Sequence, residues 1–230
     1  MKKQKAWAVI DTIAPHLFEI SDWMYHNPEI GHKEFEASKL LAEALEKHGF
    51  VIEKPYANMQ TAFKAVYVGG EGPTIAIMAE YDALPGIGHG CGHNIIGCSA
   101  IGAAVALKEA WPNLPGTLVV FGAPAEEGAV DNAGGKVILG EFGAFKSIDA
   151  ALMVHPSVQN ALGGSSNARE AMEIVFKGKT AHAAGAPHEG INALDAAIQT
   201  FNGMNALRQH VTPDVRIHGI ISEGGLSPNI

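Results

Sequence analysis

The chain has 230 residues, 47% hydrophobic and 17% charged, which is enough apolar sequence for one large globular domain or a domain and a half and argues against disorder. Its formal charge of −8 repels phosphate backbones, so nucleic acid is not an expected partner. No stretch reaches the roughly 18 uncharged apolar residues of a membrane span, and Cys91 and Cys98 are too few for a disulfide framework, so a soluble protein of the reducing cytoplasm is expected.

Asp11, Pro15, His16 and Glu19 interrupt the N-terminal apolar run, which excludes a signal-peptide core. Residues 3–26 show helical spacing with a break predicted at Pro15. Residues 34–48 form an amphipathic helix ending at Gly49. Strands follow at 51–53, 61–68 and 74–78, the last pair joined by a turn through Gly69, Gly70, Gly72 and Pro73. After a glycine-rich loop, the small and apolar run 95–111 reads as a helix capped by Asn94. Buried parallel strands are predicted at 117–121 and 150–154, with a helix around 136–139 between them. This alternation predicts an α/β fold, a mixed sheet covered by helices.

The small polar stretch 160–167 suits a domain crossing, which divides the chain into 1–162 and 163–230. Beyond it the predicted order is strand 171–176, loop, helix 191–210 and strand 215–221. That is half of a small α+β sandwich. The chain stops at 227–230, straight after an apparent turn, and reads as truncated there.

The densest chemistry lies in AEYDALPGIGHGCGHN, residues 79–94, where a strand gives way to a helix and open α/β sheets place functional groups. Cys91 and His93 stand two apart on a glycine-rich loop, and thiolate and imidazole are both good zinc donors. Glu80, Asp82 and His89 add further candidate donors. Glu126 and Glu127 end the next strand, and His155 ends the one after. Taken singly, these are a structural cysteine, a solvated acidic loop and an ordinary loop histidine. Three successive strand ends, each with metal-competent donors, point instead to a metal site. The adjacent glutamates suggest a division of labour, with Glu127 on the metal and Glu126 as base. A second constellation is GKTAHAAGAPHEGINAL, residues 178–194, with His182 on a loop and Asn192 entering a helix.

Together these motifs resemble the aminoacylase and carboxypeptidase G family of metallopeptidases, in particular its amidohydrolase branch. HNPEIGHKE at 26–34, EYDALP at 80–85, CGHN at 91–94, PAEEG at 124–128, His155-Pro156, the 178–194 block and EGGLSPNI at 223–230 carry the resemblance in order. It implies a zinc-exopeptidase-like catalytic core, two ions of zinc or manganese per subunit, and a smaller inserted lid domain that makes a homodimer. Carried across, Cys91 would bridge the metals. His93, Glu127 and His155 would be ligands, Glu126 the general base and His182 the oxyanion donor, reaching into the partner subunit's site. Asn192 would contact the substrate near its carboxylate, and Asp82 would stand behind the ligands. The implied reaction is hydrolysis of the amide bond in an N-acyl amino acid or dipeptide, with neither nucleic acid nor membrane involved.

Where many relatives read Cys-Gly-His-Asp this chain has Asn94, which turns an ionic contact behind the ligands into a neutral one. Within the branch, which also includes p-aminobenzoyl-glutamate hydrolases, GHGCGHN and Glu80-Tyr81 look more like the dipeptidase-type members. The family's last histidine ligand would fall after residue 230. Two alternatives therefore stand: a relative that binds metal without turnover, and a hydrolase with Cys91 as covalent nucleophile.

Overall fold

The structure, a computed structural model, describes residues 2–163 and 167–228. The middle of the expected crossing at 160–167, and residues 229–230 of the last motif, lie outside them. The chain divides into two compact units, Met1–Ala161 and Leu162–Ile230.

In the first unit, α1 (Lys2–His26) runs unbroken through Pro15, against the break expected there. Pro15 lacks the N–H that would bond the Asp11 carbonyl, but both residues are exposed, so water can take that acceptor. α2 (Phe35–Lys47) follows and ends before Gly49, whose φ of 77° closes the turn. β1 (Val51–Glu53), β2 (Phe63–Val68), β3 (Thr74–Ala79), β4 (Thr117–Gly122) and β5 (Ala150–Leu152) form one sheet in the order β1-β2-β4-β3-β5. β1, β2 and β4 pair antiparallel, whereas β3 runs parallel to both β4 and β5. The fold is thus α/β with a mixed sheet flanked by helices.

β4 explains its own uninterrupted apolar sequence, because it is covered on both faces. Leu118 and Val120 pack with Ile20 and Met24 of α1, Leu41 and Leu45 of α2, and Ile101 and Val105 of α3 (His93–Ala110). Val119 and Phe121 point the other way, toward Leu139 of α4 (Gly135–Phe142) and Tyr56. Leu41 is fully buried, so truncating it to Ala would cost about 2–5 kcal/mol. Gly97 lets α3 approach the carboxyl end of β3: a Cβ there would stand 3.0 Å from Leu41 Cδ1 and 3.1 Å from the Glu80 carbonyl oxygen.

Two expectations fail here. Asn94 does not cap α3; Gly92, left-handed at φ 76°, takes that position, and Asn94 Nδ2 donates to Ser21 Oγ of α1 at 3.0 Å. β5 is exposed rather than buried, as a short edge strand bonded only to β3 among the described residues.

The second unit contains α5 (Ala193–Leu207), flanked by short 3-10 turns at Pro187–Glu189 and Arg208–His210. The strands expected at 171–176 and 215–221 are not formed. Their apolar pattern carries a β tendency, but a strand needs a neighbour to bond. Among the described residues of this unit the bridge Lys179–Ile191 is the sole pairing, and Ile174, Val175 and Ile220 stay exposed. No helix among the described residues is long and apolar enough to cross a membrane.

Candidate metal centre

Because β3, β4 and β5 run the same way, the residues after their carboxyl ends emerge at one edge of the sheet, where open α/β folds build their sites. Glu80 and Asp82 follow β3, Glu126 and Glu127 follow β4, and His155 follows β5. The loop from β3 to α3 turns at Gly86, Gly88 and Gly92, all at positive φ, and delivers Cys91 and His93 to the same edge. A Cβ on Gly92 would meet Pro156 Cγ at 2.7 Å, so glycine also lets this loop lie against the segment that carries His155.

His93 is the hub. Its ring is 1% exposed, and Nδ1 lies 2.9 Å from Asp82 Oδ1. Its Nε2 faces Glu80 Oε2 at 3.6 Å, Glu127 Oε1 at 3.8 Å and Glu126 Oε2 at 3.9 Å. Burial of Asp82 opposes its charge, but the His93 ring and the Glu127 amide, which donates to Oδ2 at 2.9 Å, outweigh burial and hold the carboxyl below its usual range. Burial likewise pulls His93 down, yet Asp82, Glu80 and Glu127 together raise it. An ionised Asp82 can only accept, so Nδ1 carries a proton in either state of the ring, and it is Nε2 that gives up its proton to offer a lone pair when the ring is neutral.

His155 is exposed, and its ring stands edge-on to His93 with centroids 6.0 Å apart. Its Nδ1 meets the Pro156 carbonyl at 2.8 Å, which fixes the proton there and frees Nε2. Two overlapping sets result: donor atoms of Glu80, His93 and His155 lie within 4.8 Å of one another, as do those of His93, Glu126 and Glu127. Cys91 belongs to neither set among the described residues. Its thiol hydrogen-bonds Glu127, and this bond, burial and the nearby carboxylates push it up to about 11.

Lys136 of α4 balances some of this negative charge, pairing with Glu80 Oε1 and standing 3.8 Å from Glu126 Oε1. Glu80 is 1% exposed, and its Oε2 has no hydrogen-bond partner. A buried carboxylate oxygen left unpaired is costly, and a cation between it and His93 Nε2 would relieve that cost. The donor set of carboxylate, imidazole and thiol also suits a divalent ion. The residues present therefore fit a metal.

Sequence reasoning missed Lys136, whose partner Glu80 is 56 positions away, and it weighed Glu80 only as one candidate among several. His182 and Asn192 lie in the second unit. His182 Nδ1 accepts the amides of Ala184 at 3.2 Å and Gly185 at 3.1 Å, which leaves Nε2 to carry the proton when the ring is neutral. Asn192 Oδ1 caps α5, accepting from the Leu194 and Asp195 amides at 3.0 and 3.3 Å.

Residues 76–218 match the profile described as Peptidase family M20/M25/M40. A Mus musculus protein named Xaa-Arg dipeptidase is 37% identical, the alignment covering 99% of this chain and 55% of that one. A p-aminobenzoyl-glutamate hydrolase component of Escherichia coli K12 is 38% identical over 92% of this chain and 47% of its own. Among solved structures, a Bacillus subtilis dinuclear metal-binding peptidase of the M20 family superposes with a TM-score of 0.54 at 27% identity, over 61% of this chain and 42% of that one. The chain spans about half the length of these curated relatives.

Proposed function

The chain belongs to the peptidase family M20/M25/M40, and from that footing we propose that it serves metal-dependent hydrolysis of an amide or peptide bond in an N-acyl amino acid or dipeptide-like substrate. The observation that carries the reading is His93: its Nδ1 is tied to Asp82, and its Nε2 is ringed by three carboxylates at 3.6 to 3.9 Å. His93, Glu127 and His155 would hold the ions, with Cys91 as a shared thiolate and Glu80 as a further oxygen donor. Two ions, zinc or manganese, match this number of donors.

When bound, such ions polarise a substrate carbonyl and bring the pKa of a water toward about 7. Glu126 is the group that takes the water's proton on a carboxylate oxygen and returns it to the leaving amine. Its side chain is 38% exposed, open to substrate while its backbone is held. Asp82 keeps the His93 proton on Nδ1. As the resemblance implies, His182, whose Nδ1 accepts two amides, would offer Nε2–H to the oxyanion in the partner subunit's site, and Asn192 would contact the substrate near its carboxylate.

In this reading residues 1–162 are part of the catalytic domain and 163–230 part of a lid that pairs two subunits. The cytoplasm suits it, because a ligating Cys91 has to stay reduced. The covalent reading for Cys91 needs a thiolate in the absence of an ion, and the carboxylates around the thiol oppose one there, whereas a bound cation would favour the thiolate of a ligand.

The test is Glu126→Gln in the metal-loaded protein, assayed on N-acyl amino acids and dipeptides. Turnover should fall on the order of 10²–10⁴-fold with metal content unchanged. A normal rate would remove Glu126 as base, and an inactive parent that binds metal would favour the relative without turnover.

A further inference from the structure

The motif at residues 26–34 contributes none of the proposed metal donors, yet it holds a fully buried acid. Glu34 is 0% exposed. It occupies the N-cap position of α2 but makes no capping bond. That task is done by Glu29, whose carboxylate accepts the amides of Ala37 at 2.8 Å and Glu36 at 3.3 Å. Relieved of capping, Glu34 turns inward. Its Oε2 accepts the Thr61 hydroxyl at 2.9 Å, and its Oε1 accepts the backbone amide of Ala125 at 2.8 Å.

Ala125 immediately precedes Glu126 and is itself strained: it is fully buried with φ of 52°, a conformation that costs a residue with a Cβ on the order of 1 kcal/mol or more and persists only where the surroundings enforce it. Its carbonyl is also engaged, by the Gly134 amide at 2.6 Å. On the far side of Glu126, the Glu127 amide is held by Asp82 at 2.9 Å. Two buried carboxylates from different parts of the chain thus grip the amides on either side of Glu126. Gly31 closes the same contact, because a Cβ there would stand 2.9 Å from Ala125 Cβ and 2.8 Å from Val130 Cγ2.

We propose that Glu34 is a positioning residue for Glu126: by binding the Ala125 amide it holds the strained bend that aims Glu126 into the site. This rests on the reading of Glu126 as base. Asp82 fixes Glu127 and His93 independently, so loss of the Glu34 anchor separates proton transfer from metal binding.

The experiment compares Glu34→Leu, which removes both acceptors, with Glu34→Gln, whose carbonyl can still accept from Ala125 while its amide turns toward Thr61. Metal content, kcat, KM and hydrogen exchange at the Ala125 amide are read in each metal-loaded protein. Glu34→Leu should keep its metal, lose kcat by about 10²-fold, as a misplacement near 1 Å does, change KM little, and lose protection at Ala125. Glu34→Gln should keep both protection and most of kcat. Gly31→Ala, which leaves Glu34 intact, should lower kcat by crowding Ala125 and serves where the leucine variant does not fold. Wild-type kcat or unchanged Ala125 protection in Glu34→Leu overturns the proposal, as does Glu34→Gln failing as badly as Glu34→Leu. The exchange measurement needs no turnover, so a failure of the Glu126 assignment is told apart from a failure of the anchor.

Discussion

Asp82 binds His93 through Nδ1 at 2.9 Å and spends its second oxygen on the Glu127 amide, so one buried carboxylate orients a histidine and a glutamate proposed to share an ion. Asp82→Asn keeps the shape but loses the charge that fixes the ring's proton. Divalent affinity should weaken by about 10- to 100-fold, the range seen when such supporting carboxylates are removed. Competition against a chelating dye measures it, and unchanged affinity would show that Asp82 orients nothing.

Lys136 supplies the buried Glu80 with its cation. Lys136→Met should destabilise the metal-free protein by about 1–3 kcal/mol, discounted because the lysine side chain is 34% exposed. Added zinc should recover much of that loss, since it meets the same carboxylate. Denaturant midpoints with and without zinc test this, and an identical deficit in both would place the ion away from Glu80.

With its thiol pushed up to about 11, Cys91 in metal-stripped protein is a poor nucleophile. At pH 8 it should react with iodoacetamide roughly 100-fold more slowly than an ordinary thiol of pKa about 8.5, and speed up as pH rises toward 11. Fast labelling at pH 8 would revive the covalent reading.

His93 sets the pH dependence. Its folded value is raised, so the protonated ring stabilises the metal-free fold, fully below about pH 6.5 and less as pH climbs through the folded value. Metal binding needs the proton gone. Affinity should therefore fall by about tenfold per unit of acidification below that folded value, with proton release detectable by calorimetry in buffers of different ionisation enthalpy. A flat profile from about pH 5.5 to 8.5 would exclude His93 as a ligand.

The strand ends were legible because chain direction and side-chain chemistry are local: an apolar run such as TLVVF followed by Glu126 and Glu127 announces a buried strand with acids at its mouth. The supports were not, because each joins distant segments. Lys136 reaches Glu80 across 56 positions, and Glu34 reaches Ala125 across 91. Asn94 looked like a cap because asparagine favours that place, but a left-handed Gly92 took it and freed the amide for Ser21. The expected strands at 171–176 and 215–221 failed for a related reason, since β tendency is local while a bonding neighbour is not.

Calorimetric titration of the metal-stripped chain with zinc or manganese, wild type beside His93→Ala, tests the centre of the account. Tight, saturable binding is expected in the wild type and its loss in the variant. Equal stoichiometry and affinity in the two proteins would mean that the donors gathered around His93 do not hold the ion.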